Sequence, residues 1–286
     1  MKNTINVFGI IAFVVVIAFS TAACSKKGGG GSSGGGGKAT SASDFSYDLT
    51  ADGKGILIKG YTGKSTKIVV PAKIEDLPVT EIGDDAFNGN TLTINVSLGE
   101  YGLGSKKNER SAITSITIPN TVTTIGSSAF GYTAITKFNM PDSVTKLGSG
   151  VFSGCEQLTE LRLSDNIEYL YYDNMFGSKG KALKKVNLPQ SLKRITGDVF
   201  SYCGELSDLV IPTNLKSVEF GKFYSRGYLL KYPPNDDKYS KWVREGEKDE
   251  DNEFGTVCYT NAFSGCSKLP IKTRQIIKDW GYKGEF

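Results

Sequence analysis

Apolar and polar positions along the middle of this chain fall into one block that recurs about every 23 residues. From its apolar strand it reads SITIPNTVTTIGSSAF (Ser115 to Phe130), KFNMPDSVTKLGSGVFSGC (Lys137 to Cys155), ELRLSDNIEYLYYDNMF (Glu160 to Phe176), KVNLPQSLKRITGDVFSYC (Lys185 to Cys203) and DLVIPTNLKSVEF (Asp208 to Phe220). Prolines or their equivalents stand at Pro71, Pro119, Pro141, Ser164, Pro189 and Pro212, and a late aromatic at Phe87, Phe130, Phe152, Phe176, Phe200 and Phe263. Most steps are 22 to 25 residues. Fixed apolar positions with drifting polar ones mean that a unit cannot close a core alone and must stack on its neighbours, which predicts a solenoid.

In Ile116-Thr117-Ile118-Pro119 the apolar residues alternate and so share one face of a short strand, which proline ends by removing a donor. Val122 and Ile125 supply a second inward pair, Gly126 (like Gly83 and Gly148) permits a tight bend, and Ala129-Phe130 returns to the interior. Stacking then places Ile68, Ile116, Phe138, Leu161, Val186 and Leu209 in one buried row joined by a parallel ladder. Burial of such rows, at about 25 cal/mol per Å² of apolar area, is the evident source of stability. Two steps are long. Phe87 to Phe130 spans 43 residues, room for either a degenerate unit around Leu92, Ile94, Val96 and Leu98 or a loop of similar length, and the alternation favours a strand there. Between Val218 and Phe263 about 40 residues open the unit.

From Ile68 to Leu269 these residues resemble the BspA-like, treponemal-type leucine-rich repeats, whose pattern is roughly LxxLxLPxxLxxIGxxAFxxC. The resemblance implies a leucine-rich repeat solenoid, β-rich with short parallel strands stacked coil on coil, and a bacterial surface or secreted protein that binds host matrix proteins or other bacteria. The chain departs from the pattern at Ser164 for Pro, at Tyr171 and Thr196 for the turn Gly, and at Lys179 for Cys, so looser coils are expected there. Cys155, Cys203 and Cys266 each follow the aromatic by three residues, a position that points inward in the family, where free Cys acts as a small apolar residue. Cys155 and Cys203 stand two coils apart, roughly 10 Å, beyond disulfide reach, and are expected as thiols. Among Cys203, Cys258 and Cys266 an oxidised pair stays open.

The N-terminus is read independently. A short basic start, the 13-residue apolar stretch Val7 to Phe19 and the small residues before Cys24 make residues 1–23 a signal peptide, too short to span a bilayer. The small-small-Cys ending resembles a bacterial lipobox, with Thr21 where Leu is usual, and implies lipid attachment at Cys24; otherwise the chain is a soluble secreted protein cleaved nearby. Residues 24–43 add a Gly/Ser run, a flexible tether. Residues 44–70 read as a hairpin around Asp52-Gly53 followed by the first strand, covering the open first coil. The repeats occupy 71–269, with an insertion at 221–258. In 270–286, Pro270, Ile271, Ile276, Ile277 and Trp280 follow helical spacing, Pro suits the first turn and Gly281 the stop, predicting a helix that seals the last coil.

Composition narrows the chemistry. The formal charge of +4 falls to +3 without Lys2 and gives no basis for nucleic-acid binding. The chain has no histidine, which excludes Ser-His-Asp and Cys-His arrangements and imidazole zinc sites. Asp249, Asp251 and Glu253 alternate like a calcium loop, but Phe254 stands where that loop needs Gly, leaving a solvated acidic loop. No cofactor, metal or small-molecule substrate is implied.

Two surfaces remain as candidates for binding a protein. Gly221 to Cys258 is not repeat sequence; it interleaves aromatics (Phe223, Tyr224, Tyr228, Tyr232, Tyr239, Trp242, Phe254) with charge, including Arg244, and insertions in repeat proteins emerge on one face, often the binding face. Those aromatics either bind a partner or pack on the solenoid flank. The second is the outward strand row of Lys137, Glu160, Lys185 and Asp208, beside Asn139, Arg162 and Asn187, whose alternating sign suits a protein ligand and equally suits a solvated sheet. The reading is a non-enzymatic lipoprotein of the bacterial envelope, at the outer membrane or cell surface, displaying its repeats for protein binding or adhesion. A periplasmic scaffold binding another envelope protein is the alternative, and an enzyme acting on envelope polymers is the least supported.

Overall fold

Each coil contributes two short parallel strands, one on each of two walls. The structure, a computed structural model, describes residues 38–93, 104–107, 112–170, 175–225, 240–244 and 261–286. The signal peptide, Cys24 and most of the Gly/Ser run lie outside the described residues, as do Tyr171, the acidic loop and Cys258. On the first wall Lys67–Val69 pairs in register with Ser115–Thr117, and Lys137–Asn139, Glu160–Arg162, Lys185–Asn187 and Asp208–Val210 form a parallel ladder. The expected row of Ile68, Ile116, Phe138, Leu161, Val186 and Leu209 is buried throughout. It is carried by two ladders rather than one, divided between Ser115–Thr117 and Lys137–Asn139.

The second wall is an addition to the sequence reading. Leu77–Ile82, Thr124–Ile125 and Lys146–Leu147 pair in parallel, as do Tyr169–Leu170, Arg194–Thr196 and Glu219–Ser225. Ile125 was legible as an inward residue, but strands of two or three residues are too short for alternation to announce them.

Between the walls, six phenyl rings stack coil on coil. Phe87, Phe130, Phe152, Phe176, Phe200 and Phe263 follow one another at centroid separations of 5.7, 5.7, 6.2, 6.1 and 5.3 Å, each pair within 29° of parallel. This column settles the two long steps. Phe87 lies directly against Phe130, the Phe87 amide donates to the Ala129 carbonyl at 2.8 Å, and Lys67–Val69 pairs with Ser115–Thr117. No coil intervenes, so the loop alternative holds. Of its alternating residues Leu92 lies in a strand, Asn90–Thr93, which pairs antiparallel with Gly104–Lys107, while Ile94, Val96 and Leu98 lie outside the described residues. In the same way Phe200 lies against Phe263, so the second long step is an excursion within one coil.

Three details of the turns differ from expectation. Gly126 and Gly148 are required by contact between coils: a Cβ on Gly126 would lie 2.5 Å from the Asp84 amide nitrogen, and one on Gly148 2.3 Å from that of Ser127. Ser164 does not loosen its coil. It is 0% exposed, and its hydroxyl donates to the Val144 carbonyl of the preceding coil at 2.6 Å. In three other coils that bond comes from the residue two after the proline: Thr121 to Val79, Ser143 to Val122, Ser191 to Ile167. Asn166 occupies that place in the coil of Ser164, and Ser164, standing where proline stands in the others, supplies the missing hydroxyl. Thr196, where Gly was expected, is also buried and pairs with Gly221.

Both ends of the stack are covered. The predicted hairpin forms as Phe45–Leu49 against Ile56–Tyr61, turning through Gly53 at φ 69°, and it sets Phe45 and Tyr61 against Phe87. At the other end the helix spans Ile271–Asp279, so Pro270 is its N-cap rather than part of its first turn. Ile277 faces inward, but Ile271 is 85% exposed and takes no part in the seal. Tyr282 and Phe286, beyond the helix, pack on Phe263 at 5.6 and 6.2 Å and complete it.

Candidate protein-binding surface

The strand row emerges as predicted. In-register pairing sets Lys137, Glu160, Lys185 and Asp208 side by side, with Asn139, Arg162 and Asn187 in the next outward column. Opposite charges on adjacent strands meet: Lys137 lies 2.7 Å from Glu160 and Lys185 2.9 Å from Asp208. The hydrogen bond from Lys185 to Asp208 holds its ammonium pKa above the ordinary lysine value. Both pairs are exposed, where an ion pair contributes little to stability.

Arg162 is more deeply engaged. Its guanidinium donates to the Met140 carbonyl at 2.9 Å and bridges Asp142 and Asp165, each at 2.9 Å. Those carboxylates in turn accept backbone amides from the following coils, Asp142 from Asp165 at 2.9 Å and Asp165 from Gln190 at 3.3 Å. Arg162 thus braces a carboxylate ladder along the proline turns, a role its position in the strand row does not reveal.

The second wall has its own outward row, missed because its strands were missed. Tyr169, Arg194 and Glu219 are in register. Arg194 lies 5.8 Å from the Tyr169 ring centroid and donates to Glu219 at 2.8 Å. Next to it Lys193 pairs with Glu168 at 2.8 Å, which raises its ammonium pKa.

This second wall also roots the insertion. Glu219–Gly221 pairs with Arg194–Thr196 as a repeat strand should, then the strand continues to Ser225 and pairs antiparallel with Ser240–Arg244. The break from repeat to insertion therefore falls within a strand rather than at a loop. Trp242 stands opposite Phe223 and Arg244 opposite Gly221. Tyr228, Tyr232 and Tyr239 lie outside the described residues. The two candidate surfaces accordingly belong to different sheets: Lys137, Glu160, Lys185 and Asp208 to the first wall, Trp242 and Arg244 to the second.

The buried thiols are chemically quiet. Cys155, Cys203 and Cys266 are unpaired and buried, as expected for the first two. Desolvation pushes the Cys155 thiol up to about 11 and Cys266 to about 12, and raises Cys203 as well, where Cys266 adds to the effect. Among the described residues no group of His, Cys, Asp and Glu could hold a metal ion, and no helix is long and apolar enough to cross a membrane.

Residues 103–230 match the BspA type leucine-rich repeat region, in six copies. Among solved structures, the chain is similar to a leucine-rich repeat protein of T. pallidum, at 26% identity and TM-score 0.54, over 87% of this chain and 99% of that one. A leucine-rich repeat protein of Bacteroides ovatus is 23% identical at TM-score 0.34, over 61% of this chain and 54% of that one. No curated protein matches the chain. Residues 103–230 thus carry leucine-rich repeats of the BspA type, and the molecule is a solenoid of the kind that serves as a scaffold for protein interaction.

Proposed function

We propose that this leucine-rich repeat chain is an exported envelope lipoprotein, tethered through Cys24 and the Gly/Ser run, that binds another protein at the cell surface, a host matrix protein or a protein of another bacterium. The observation that carries the reading is the rooting of the insertion. One of its strands prolongs a wall strand of the solenoid and the other pairs antiparallel with that prolongation, so the segment between Ser225 and Ser240 starts and ends on the wall. A recognition segment held on a rigid element loses less conformational freedom on binding. The paired charges of the first wall supply a surface that steers a charged partner without being consumed by the fold.

Ser225 and Ser240 are a register pair, so residues 226–239 can be replaced by an Asn-Gly turn that joins the two strands directly. The shortened protein should keep its circular dichroism and melting temperature and lose adhesion to matrix proteins or partner bacteria. Retained adhesion would shift recognition to the strand row, tested next by Lys137→Glu and Lys185→Glu. The anchor is tested separately: radiolabelled fatty acid should enter the wild type and not Cys24→Ala, and protease digestion of intact cells should remove the repeats if they are displayed outside. Protection from the protease would favour a periplasmic scaffold.

A further inference from the structure

The excursion of residues 221–258 lies within the coil that ends in Cys266, and that coil stacks directly on the one that ends in Cys203. The amides of Phe200 and Tyr202 donate to the carbonyls of Ala262 and Ser264, both at 2.8 Å, which places Cys203 in register with Cys266. The Cys266 thiol donates to the Phe200 carbonyl at 3.1 Å, and the Cys203 amide donates to the same oxygen at 3.2 Å. An earlier pair of coils has the same arrangement with one substitution. There Cys155 donates to the Phe130 carbonyl at 3.0 Å, Thr133 takes the place of Cys203, and the hydroxyl oxygen and the sulfur are 3.4 Å apart. At that earlier pair the side-chain tips are in contact across the coil boundary; the Cys203 sulfur lies 3.0 Å from where a Cβ on Gly180 would stand and must turn from the preceding coil toward Cys266. Neighbouring parallel strands lie about 4.8 Å apart, inside the Cα window of roughly 4.4 to 6.8 Å for a disulfide. The Cβ atoms must close by about 1 Å, and both cysteines adjoin a glycine: Gly204, around which a Cβ would find its nearest atom at 3.5 Å, and Gly265, at φ 79°.

We propose that Cys203 and Cys266 are a dithiol site that closes to a disulfide as the chain folds in an oxidising compartment, joining the coil that carries the excursion to the coil before it. The oxidant is a small-molecule or protein disulfide. One cysteine, as thiolate, attacks it and forms a mixed disulfide, releasing one thiol. The second thiolate then attacks the protein sulfur of that bond and releases the other. Two protein thiols lose two protons and two electrons, and one external disulfide becomes two thiols. Both sulfurs are buried in the folded chain, so the exchange belongs to folding and the folded protein, reduced or oxidised, is inert. The inference leans on the export reading only for where an oxidant is met.

The test uses the full chain carrying Cys24→Ser, refolded from denaturant in a mixture of reduced and oxidised glutathione, then alkylated and digested without reduction. Mass spectrometry should find the Cys203 and Cys266 peptides joined, with Cys155 and Cys258 alkylated. The Cys258→Ser variant should give the same bond, and the oxidised form should melt several degrees above the form refolded under reductant. Alkylated Cys203 and Cys266, or a bond from either to Cys258, would overturn the proposal. Failure of fatty-acid labelling at Cys24 would weaken the export reading and leave this outcome untouched.

Discussion

A single phenyl ring per coil does more for this molecule than any other side chain, because each ring contacts the rings above and below. Phe152 is 0% exposed and lies 5.7 Å from Phe130 and 6.2 Å from Phe176. Truncating it should therefore cost about 3 to 5 kcal/mol, measured by urea unfolding; a loss under about 1 kcal/mol would mean the column does not hold the stack. Ser164 yields a less obvious forecast. Restoring the repeat pattern with Ser164→Pro deletes a buried hydroxyl and leaves the Val144 carbonyl without that donor, at a cost of about 1 to 3 kcal/mol. Adding Asn166→Ser returns a hydroxyl to the place used by Ser143 and Ser191, and the double variant should recover most of the loss. Sequence revealed Phe152 because its class is invariant from unit to unit. It made Ser164 look like a defect, because the compensation runs through a second departure two residues away and through a backbone atom of another coil.

At the scale of the element, what was legible depended on length and period. The first-wall strands carry apolar alternation followed by proline, and the N-terminal hairpin carries Asp-Gly between two alternating runs, so both were read with their faces. The second wall was not, since a pair such as Lys146–Leu147 holds no period at all and exists because stacking brings it beside Thr124–Ile125. The candidate surface followed the same division: the strand row of the first wall was found, while Tyr169, Arg194 and Glu219 were not. The second-wall turn also explains its glycine. With 2.3 Å between a Cβ on Gly148 and the Ser127 nitrogen, Gly148→Ala must push two coils apart. Overpacking of this kind costs about 1 to 3 kcal/mol, and the variant should lose amide protection at Ser127 and Ser149 in hydrogen exchange before it loses protection on the first wall. A fully neutral variant would show that the coils are not in backbone contact there.

For the whole molecule the consequence of stacking is that stability is passed from coil to coil, and the ends decide whether it is kept. A terminal coil has one apolar face with no repeat to cover it. Here Phe45 and Tyr61 cover Phe87 at one end, and Tyr282 with Phe286 covers Phe263 at the other. The C-terminal cover is the more exposed to test, because it consists of one short helix with a single buried isoleucine and the residues that follow it. Chain termination after Leu269 would remove the Tyr282 hydroxyl that accepts the Phe263 amide at 3.2 Å, together with the rings that shield Phe220 and Phe263. The truncated protein should unfold in two steps, an early one confined to the coils after Phe200 and a later one near the wild-type midpoint, and should associate with rising concentration through its uncovered end. Unfolding in one step at the wild-type midpoint, by a monomer, would mean that the last coil closes itself and that the helix is an appendage rather than a seal.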